Sequence, residues 1–382
     1  MTSNHRKQHL LGTPLTGFAT FCAEQKWPVY RARQVYQWVF DRGVTDFEAM
    51  TNLAKTERAK LAASWTILTG KELRRQESED GTTKLLLEWT DGATSECVFI
   101  PDETRRTACI SSQIGCPVGC TFCASGMGGL QRQLTAGEIV EQAARIRALC
   151  RQPPEDRRFG EDTRLSNIVI MGIGEPLANY ENVLQAVRMI NADWGMNIGA
   201  RKITLSTVGL PKQIRRLAEE DLQINLAISL HAPTDSLRRR LIPWANRVSV
   251  DELVSAANFY FEKTGREVTI EYLLLGDVND RPRHAADLAS LCRRMRCNVN
   301  LIRYNPVAGL GFERPTSAAA HHFVEQLRAR GINAHVRKSR GCDIDAACGQ
   351  LRRTHRGPGS PGAVDKPASP GSNMTAPDGA IE

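Results

Sequence analysis

Three cysteines fall within eight residues of this sequence, and their spacing indicates metal chemistry. Cys116, Cys120 and Cys123 form a C-x-x-x-C-x-x-C pattern, with the aromatic Phe122 just before the third thiol. A thiolate is a soft anionic ligand, and close triplets of this kind bind metals or iron–sulfur clusters far more often than they arise by chance. Three protein ligands on a 4Fe–4S cluster would leave one iron open to a further ligand.

Two plainer interpretations of the triplet stay open at this point. A structural zinc site is closed by four ligands. Neither a Cys nor a His follows Cys123 within about twenty residues, the usual reach of a paired zinc half-site. A zinc knuckle would therefore need a distant fourth ligand. The three thiols would otherwise be ordinary buried side chains.

Composition and charge narrow the class of protein. The chain has 382 residues, with 50 Lys and Arg against 42 Asp and Glu, a net charge of +8 and a pI near 9.0. This modest basic excess fits a polyanionic partner without proving one. Eleven cysteines, an odd number without secretory context, indicate reduced cytosolic thiols. No signal-like or membrane-spanning apolar run occurs, so we expect a cytoplasmic protein without membrane contact.

Local patterns divide the chain into five parts. Residues 1–13 are predicted to be disordered, and residues 14–65 carry the apolar spacing of a small helical domain. Residues 66–104 predict a β extension, in which Asp91-Gly92 marks a hairpin turn. Residues 105–351 are predicted to form an α/β domain. Residues 352–382, which are rich in Gly, Pro and Ser, are predicted to form a disordered tail.

Strands and helices alternate through the α/β domain. The predicted strands cover 108–113, 167–171, 202–207, 223–230, 267–274, 298–304 and 333–338. The predicted helices cover 135–149, 181–191, 210–219, 250–264, 284–296 and 316–330. This repetition implies parallel strands with right-handed crossovers, hence a doubly wound sheet or an incomplete TIM-like barrel. In such folds the active site forms at the carboxyl ends of the strands.

Glycine and polar residues follow these predicted strands. The three-cysteine loop follows the first, Gly172-Ile173-Gly174-Glu175-Pro176 the second, and Ser229-Leu230-His231 ends the fourth. Residues 341–349, which include Cys348, follow the last. Together with residues 30–38 of the helical part, these motifs resemble the RlmN/Cfr family of radical S-adenosylmethionine (SAM) RNA methyltransferases. The resemblance implies a partial (βα)6 TIM-like radical-SAM barrel with an N-terminal helical RNA-contact domain and a β extension.

The resemblance also assigns roles to the strand-end residues. Cys116, Cys120 and Cys123 would hold a 4Fe–4S cluster, and Gly174 and Glu175 would meet the methionine end of SAM. The remainder of SAM would be held by Ser206, Ser229, Leu230, His231 and Asn305. Taken singly, each of these residues has an ordinary interpretation as a turn, cap or core residue.

Two further cysteines would carry the methyl group. The family substrate is carbon 2 of adenine, an electron-poor position that does not attack the methyl group of SAM. In the family, the thiolate corresponding to Cys348 takes a methyl group from a first SAM, and a radical from a second SAM activates that S-methyl group. Cys109 would then release the product by forming a disulfide with Cys348. Without the resemblance, Cys109 would be a small buried apolar residue.

Glu96 is the candidate base of the reaction. It lies on a predicted strand in phase with Val98 and Ile100, so its carboxylate would share their apolar face. A solvent-facing strand carboxylate is the alternative.

The resemblance implies RNA partners and a reductant. The targets would be an adenosine of 23S rRNA and the adenosine 3′ of the anticodon in tRNA, with a flavodoxin-like electron donor and a monomeric enzyme. Arginines 238–240, and the basic residues Arg337, Lys338 and Arg340, would contact phosphates on the active rim, or form a solvated face. Cys342 is a thiol not expected from the family pattern. Two alternatives stay open: methylation of adenine C8, and a non-enzymatic zinc-containing RNA-binding protein.

Overall fold

The apolar face of the second N-terminal helix shows why this part of the chain folds as helices. The computed structural model of the protein describes residues 7–151 and 164–351. Its first helices are α1 (Leu15–Glu24), α2 (Tyr30–Phe40) and α3 (Lys55–Ser64). The buried residues of α2 recur at the spacing of one helical face, which packs inward; they are Ala32, Val35, Tyr36, Val39 and Phe40.

The prediction of disorder for residues 1–13 is wrong for its second half. Strand β1 (Gln8–His9) pairs in parallel with β2 (Trp65–Thr66), so it ties the start of the described chain to the end of α3. Leu10 and Leu11 are completely buried. Two leucines beside charged residues give no periodicity, and their burial depends on the rest of the molecule. Residues 1–6, and the predicted tail at 352–382, lie outside the described residues.

Within residues 7–151 and 164–351, ten further strands build one continuous sheet, and two more form a small hairpin. The strands are β3 (Lys71–Glu77), β4 (Thr83–Glu88), β5 (Thr94–Pro101), β6 (Arg106–Cys109), β7 (Gln113–Gly115), β8 (Leu130–Gln133), β9 (Asn167–Ile170), β10 (Ile203–Thr207), β11 (Asn225–Ser229), β12 (Val268–Leu274), β13 (Cys297–Arg303) and β14 (Ala334–Arg337). The remaining helices are α4 (Ala136–Arg151), α5 (Tyr180–Asn191), α6 (Pro211–Ala218), α7 (Asp235–Leu241), α8 (Val250–Thr264), α9 (Pro282–Cys292) and α10 (Ser317–Arg328).

The sheet has the strand order β14-β13-β12-β11-β10-β9-β6-β5-β4-β3. Strands from β6 to β14 in this order are mutually parallel, and β3, β4 and β5 extend the sheet in antiparallel pairing. The predicted α/β architecture with N-terminal helices and a β extension is confirmed. The division into five parts stays a prediction.

A contact between distant strands shows that the sheet curls. Arg337 on β14 places its Nη1 3.5 Å from the sulfur of Met171, the residue just after β9. These strands are five places apart in the sheet, about 24 Å if the sheet were flat. The curl brings the carboxyl ends of the parallel strands around one cavity, as a partial barrel requires. Among the described residues, no helix combines the length and apolar character needed to cross a membrane.

Two elements near the three cysteines differ from the prediction. The first barrel strand ends at Cys109 rather than Gln113, and β7 instead pairs with β8 to frame the cysteine loop. Beyond the strand Ser111 is buried, and its hydroxyl donates to the Glu96 carbonyl oxygen at 2.6 Å. Helix α7 was not predicted because its arginine run shows no apolar periodicity.

Candidate active site

The three-cysteine loop is fixed at both ends by backbone contacts. Gly115 adopts a positive φ of 78°, and a Cβ on this residue would lie 1.9 Å from the carbonyl oxygen of Gly129. The following amide, that of Cys116, donates to the same Gly129 oxygen at 3.2 Å. Only glycine fits this close approach. The loop between β7 and β8 therefore closes tightly around the thiols.

Two more contacts tie this loop to functional segments. The backbone N–H of Thr121 donates to the carbonyl oxygen of Leu241 at the end of α7, at 3.0 Å. The backbone N–H of Ala124 donates to the carbonyl oxygen of Gly349 at 2.8 Å. The cluster loop is thus in direct contact with the segment that carries Cys348.

The three thiols share one cavity with the predicted SAM residues. This cofactor cavity has a volume of about 160 Å³. Among its lining residues are Cys116, Cys120, Cys123, Gly174, Glu175, Ser206, Ser229, His231 and Cys348. Among the described residues, no three His, Cys, Asp or Glu side chains converge as ligands of one ion would. A 4Fe–4S cluster does not require such convergence, because each cysteine binds a different iron.

Burial keeps the cluster thiols protonated until metal binds. It raises the pKa of Cys116 to about 12 and holds the pKa of Cys120 well above its usual range. Burial also raises the pKa of Cys123, although hydrogen bonds from Ser125 oppose the effect. Metal binding must therefore release protons. Three soft sulfurs that line one cavity fit a 4Fe–4S cluster, whose remaining iron would take one external ligand.

Glu175 is a buried carboxylate at the wall of the cofactor cavity. It accepts hydrogen bonds from the Thr207 hydroxyl at 2.8 Å and from the backbone N–H groups of Val208 and Leu177 at 2.7 and 2.9 Å. Burial nevertheless raises its pKa to about 7. Beside it, Gly174 has a φ of 113°, and a Cβ there would lie 2.7 Å from the Ser112 hydroxyl. The pair can offer a carboxylate and an unobstructed backbone to an ammonium group.

His231 lines the same cavity as a neutral hydrogen-bond donor. Its Nδ1 accepts the backbone N–H of Leu273 at 3.0 Å, so the ring proton is on Nε2. Burial, with the charge of Arg238, lowers the pKa of His231 to about 3. The hydroxyls of Ser206 and Ser229 lie 3.3 Å apart on the neighbouring strands. The side chain of Leu230 is buried in the core and is not among the residues that line the cavity.

A second, larger cavity of about 850 Å³ adjoins the first. Cys109, Asn305 and Cys348 line it, and Cys348 lines both cavities. Cys109 is 7% exposed, and burial, with the neighbouring Cys348, raises its pKa to about 12. Both thiols are free in this structure. The two predicted reactive cysteines thus face one space.

Asn305 is placed differently from its predicted role. It lines the larger cavity rather than the cofactor cavity. Its Nδ2 donates to the Cys348 carbonyl oxygen at 3.4 Å, and its Oδ1 accepts from the Cys342 thiol at 3.5 Å. In this structure Asn305 therefore holds the segment of Cys348.

Glu96 does not face solvent, so the alternative interpretation of this residue is wrong. It is 1% exposed, and its Oε1 lies 3.3 Å from the Nζ of Lys84. It is not among the residues that line either cavity. A role of Glu96 as the catalytic base stays a prediction. It would require either the target adenine or the loop that carries Cys348 to move.

Sequence reasoning missed two charged residues of the site. Arg337, expected on the rim, lines both cavities, and the neighbouring Cys348 and Glu271 raise its pKa against the effect of burial. Glu271 on β12 lines both cavities, and its Oε2 has no hydrogen-bond partner among the described residues. Burial raises the pKa of this carboxyl. A carboxylate inside an apolar parallel strand is unusual, and this signal could have identified Glu271.

Comparison with known proteins agrees with this geometry. A model of the Ribosomal RNA large subunit methyltransferase N-terminal domain matches residues 8–67, and a Radical SAM superfamily model matches residues 110–289. A protein of Rhodopirellula baltica named "Probable dual-specificity RNA methyltransferase RlmN" is 43% identical over 348 residues, which are 91% of each chain. A protein of the same name from Bacillus pumilus is 44% identical over 333 residues, 87% of this chain and 90% of its own.

The chain belongs to the RlmN family of radical-SAM RNA methyltransferases. The crystal structure of a radical SAM methyltransferase from Sphaerobacter thermophilus has a TM-score of 0.86 and 44% identity, and the match covers 90% of this chain and 99% of that one. The predicted family, enzyme class and radical-SAM fold are thus confirmed. RlmN membership rules out the non-enzymatic zinc protein.

Proposed function

We propose that this RlmN-family enzyme methylates carbon 2 of an adenosine in 23S rRNA, and of the adenosine 3′ of the anticodon in tRNA. The proposal rests mainly on the position of Cys348. This residue lines both the cavity of the cluster cysteines and the cavity of Cys109. The relatives are named dual-specificity RNA methyltransferases RlmN, and this name supports two RNA substrates. The choice of C2 over C8 follows from the family resemblance.

The residues around the cofactor cavity would bind and orient SAM. Glu175 would accept the ammonium group, and Ser206, Ser229 and His231 would hold the nucleoside part. Cys116, Cys120 and Cys123 would hold the cluster, which when bound supplies the electron that cleaves SAM. Asn305 supports this site by holding the loop of Cys348 in place.

Cys348 would act as the nucleophile and Cys109 as the resolving thiol. The Cys348 thiolate would take a methyl group from one SAM, whose S–CH3 bond breaks to leave S-adenosylhomocysteine. Arg337 lines the same two cavities as Cys348. Once the S-methylene carbon has bonded to C2, the adduct would lose one electron to the cluster and its C2 proton to a base, with the help of Cys109. The Cys109 thiolate would then attack the sulfur of Cys348, so that the S–CH2 bond breaks, the released carbon takes up a proton as the new methyl group, and a disulfide remains. Two SAM molecules are consumed per turnover. The proposal includes a flavodoxin-like donor, a monomeric enzyme and a cytoplasmic location, which follow from the family resemblance.

The target base must leave its stack to reach this interior site. The thiols lie inside the barrel, so an unpaired adenosine in a loop is the expected substrate. The larger cavity offers the room, and its rim carries Arg105, Lys338 and Arg340 for phosphates.

Mass spectrometry of the anaerobically prepared enzyme tests the proposal. We expect a methyl group on the Cys348 peptide, no RNA methylation by C348A, and a covalent RNA adduct trapped by C109A. Nucleoside digestion of the product separates 2-methyladenosine from the 8-methyl isomer. A C348A variant that still methylates RNA would falsify the two-cysteine route, and 8-methyladenosine would overturn the assigned position.

A further inference from the structure

Arg238 differs from the two arginines that follow it. The side chain of Arg238 is 0% exposed, whereas Arg239 and Arg240 are exposed on the same short helix. A residue this deeply buried cannot contact the phosphates of RNA, so the sequence-based expectation is wrong for Arg238. The burial of one arginine in a run of three requires a reason inside the protein.

The hydrogen bonds of Arg238 do not neutralise its charge. Its Nε donates to the carbonyl oxygen of Leu230 at 3.3 Å, and its Nη2 donates to that of Val208 at 2.5 Å. The third nitrogen, Nη1, has no hydrogen-bond partner among the described residues. Burial lowers the pKa of Arg238 to about 10, so it stays positively charged at neutral pH. Burying a cation without a paired anion destabilises the folded protein by roughly several kcal/mol.

The cluster loop carries negative charge once its thiols bind metal, and this charge acts on Arg238. After burial, the thiol of Cys120 has the largest influence on the pKa of Arg238, ahead of Asp235. The end of α7 also touches this loop directly, because the carbonyl oxygen of Leu241 accepts from both the backbone N–H and the hydroxyl of Thr121, at 3.0 and 3.2 Å. Arg238 therefore lies on a helix that contacts the cluster loop, one turn before the residue that makes the contact.

We propose that Arg238 is the buried counter-charge of the iron–sulfur cluster and raises its reduction potential. The inference depends on the cluster site proposed above. Three thiolates make the bound cluster anionic, and one-electron reduction makes it more negative by one unit. A fixed positive charge in a water-free interior favours the reduced form, and such outer contacts are a known means of tuning metal sites.

The SAM carboxylate is the competing partner for this guanidinium. Arg238 is not among the residues that line the cofactor cavity, whereas Glu175 and His231 are. A side chain outside this lining makes no direct contact with a bound carboxylate, whereas its charge still acts on the cluster across the low-dielectric interior.

A redox titration of the anaerobically reconstituted full-length enzyme tests the proposal. The variants are R238M, R238K and the matched control R240M, which removes an exposed arginine from the same helix. We expect R238M to lower the equilibrium constant for reduction of the cluster about tenfold or more. For a one-electron couple, a tenfold change shifts the reduction potential by about 59 mV to a more negative value. R238K keeps the positive charge, so its reduction potential should stay close to that of wild type. R240M should not differ from wild type, because water and salt screen its charge.

The outcomes separate this inference from the proposed function. Iron content and visible absorbance first establish that each variant carries the cluster. If R238M does not fold, R238Q, which keeps hydrogen-bonding groups, replaces it and the same threshold applies. An unchanged potential at full cluster content overturns the inference, as does a loss of SAM affinity without a shift in potential. A wild-type protein that assembles no cluster would contradict the proposed site itself.

Discussion

Lys84 Nζ lies 3.3 Å from the carboxylate of Glu96, and neither side chain is more than 4% exposed. The same ammonium group donates to the carbonyl oxygen of Asp345 at 3.1 Å. One buried ion pair thus connects the β4–β5 hairpin to the loop that carries Cys348. The family resemblance makes Glu96 a base, whereas its contacts in this structure give it a second role in positioning that loop.

Replacing Lys84 should destabilise the protein strongly. K84M leaves the Glu96 charge buried without its ammonium partner, a change that costs about 3–5 kcal/mol in comparable cases. Urea unfolding measures the loss. The control K71M removes an exposed lysine from the neighbouring strand and should cost less than about 0.5 kcal/mol. Equal midpoints for K84M and K71M would show that the pair contributes nothing to stability.

The strand ends were predictable from the sequence, but the partners of the charged residues were not. Glu175 and Ser229 line one cavity because parallel strands direct their carboxyl ends to the same edge. The Lys84–Glu96 pair depends on the hairpin register, which sets Leu86 opposite Glu96 and leaves Lys84 to reach it diagonally.

Tertiary packing also determines which charged side chains are buried, and the sequence composition does not. Arg238 and Arg240 are indistinguishable in a run of three arginines, and the packing of α7 against the residues that follow β10 and β11 buries only Arg238. Arg337 lies in the interior because the sheet curls. The alternation of apolar and polar residues along a strand does not predict how strongly a sheet curves.

Gly115 should be required for cluster assembly. G115A would place a methyl group 1.9 Å from the carbonyl oxygen of Gly129, so the loop must open. We expect the iron content of the anaerobically reconstituted variant to fall to less than half of wild type. G92A is the matched control, because Gly92 has the same φ of 78° but no neighbouring atom within 4 Å. If both variants lose iron equally, backbone strain rather than the clash is responsible.

The thiols of Cys342 and Cys109 should react in a fixed order. Cys342 is exposed, whereas Cys109 is 7% exposed and its pKa is raised by burial to about 12. Because alkylation requires an accessible thiolate, Cys342 should react with iodoacetamide roughly a hundredfold faster than Cys109. Peptide mass spectrometry of the cluster-loaded enzyme follows both sites. A Cys109 that reacts as fast as Cys342 in the folded protein would contradict the closed position described for it.

The raised pKa of Glu175 should make both stability and SAM binding depend on pH. Burial raises this pKa from 4.5 to about 7, so between these values the folded protein binds more protons than the unfolded chain. The unfolding free energy should therefore fall as pH rises from 4.5 to 7, by up to about 3 kcal/mol, and change little from this source above 7. E175Q should lose this slope, and E24Q, at an exposed glutamate, should keep it.

SAM affinity should change in the opposite direction over the same range. An ammonium group needs the ionised carboxylate, so affinity should rise with pH until Glu175 is fully ionised above about pH 7, by up to about tenfold per pH unit below that point. Equilibrium dialysis with the cluster-loaded enzyme measures this rise. E175Q should bind weakly at every pH and without the slope. If its pH profile matches that of wild type, a different group controls the binding of the SAM ammonium.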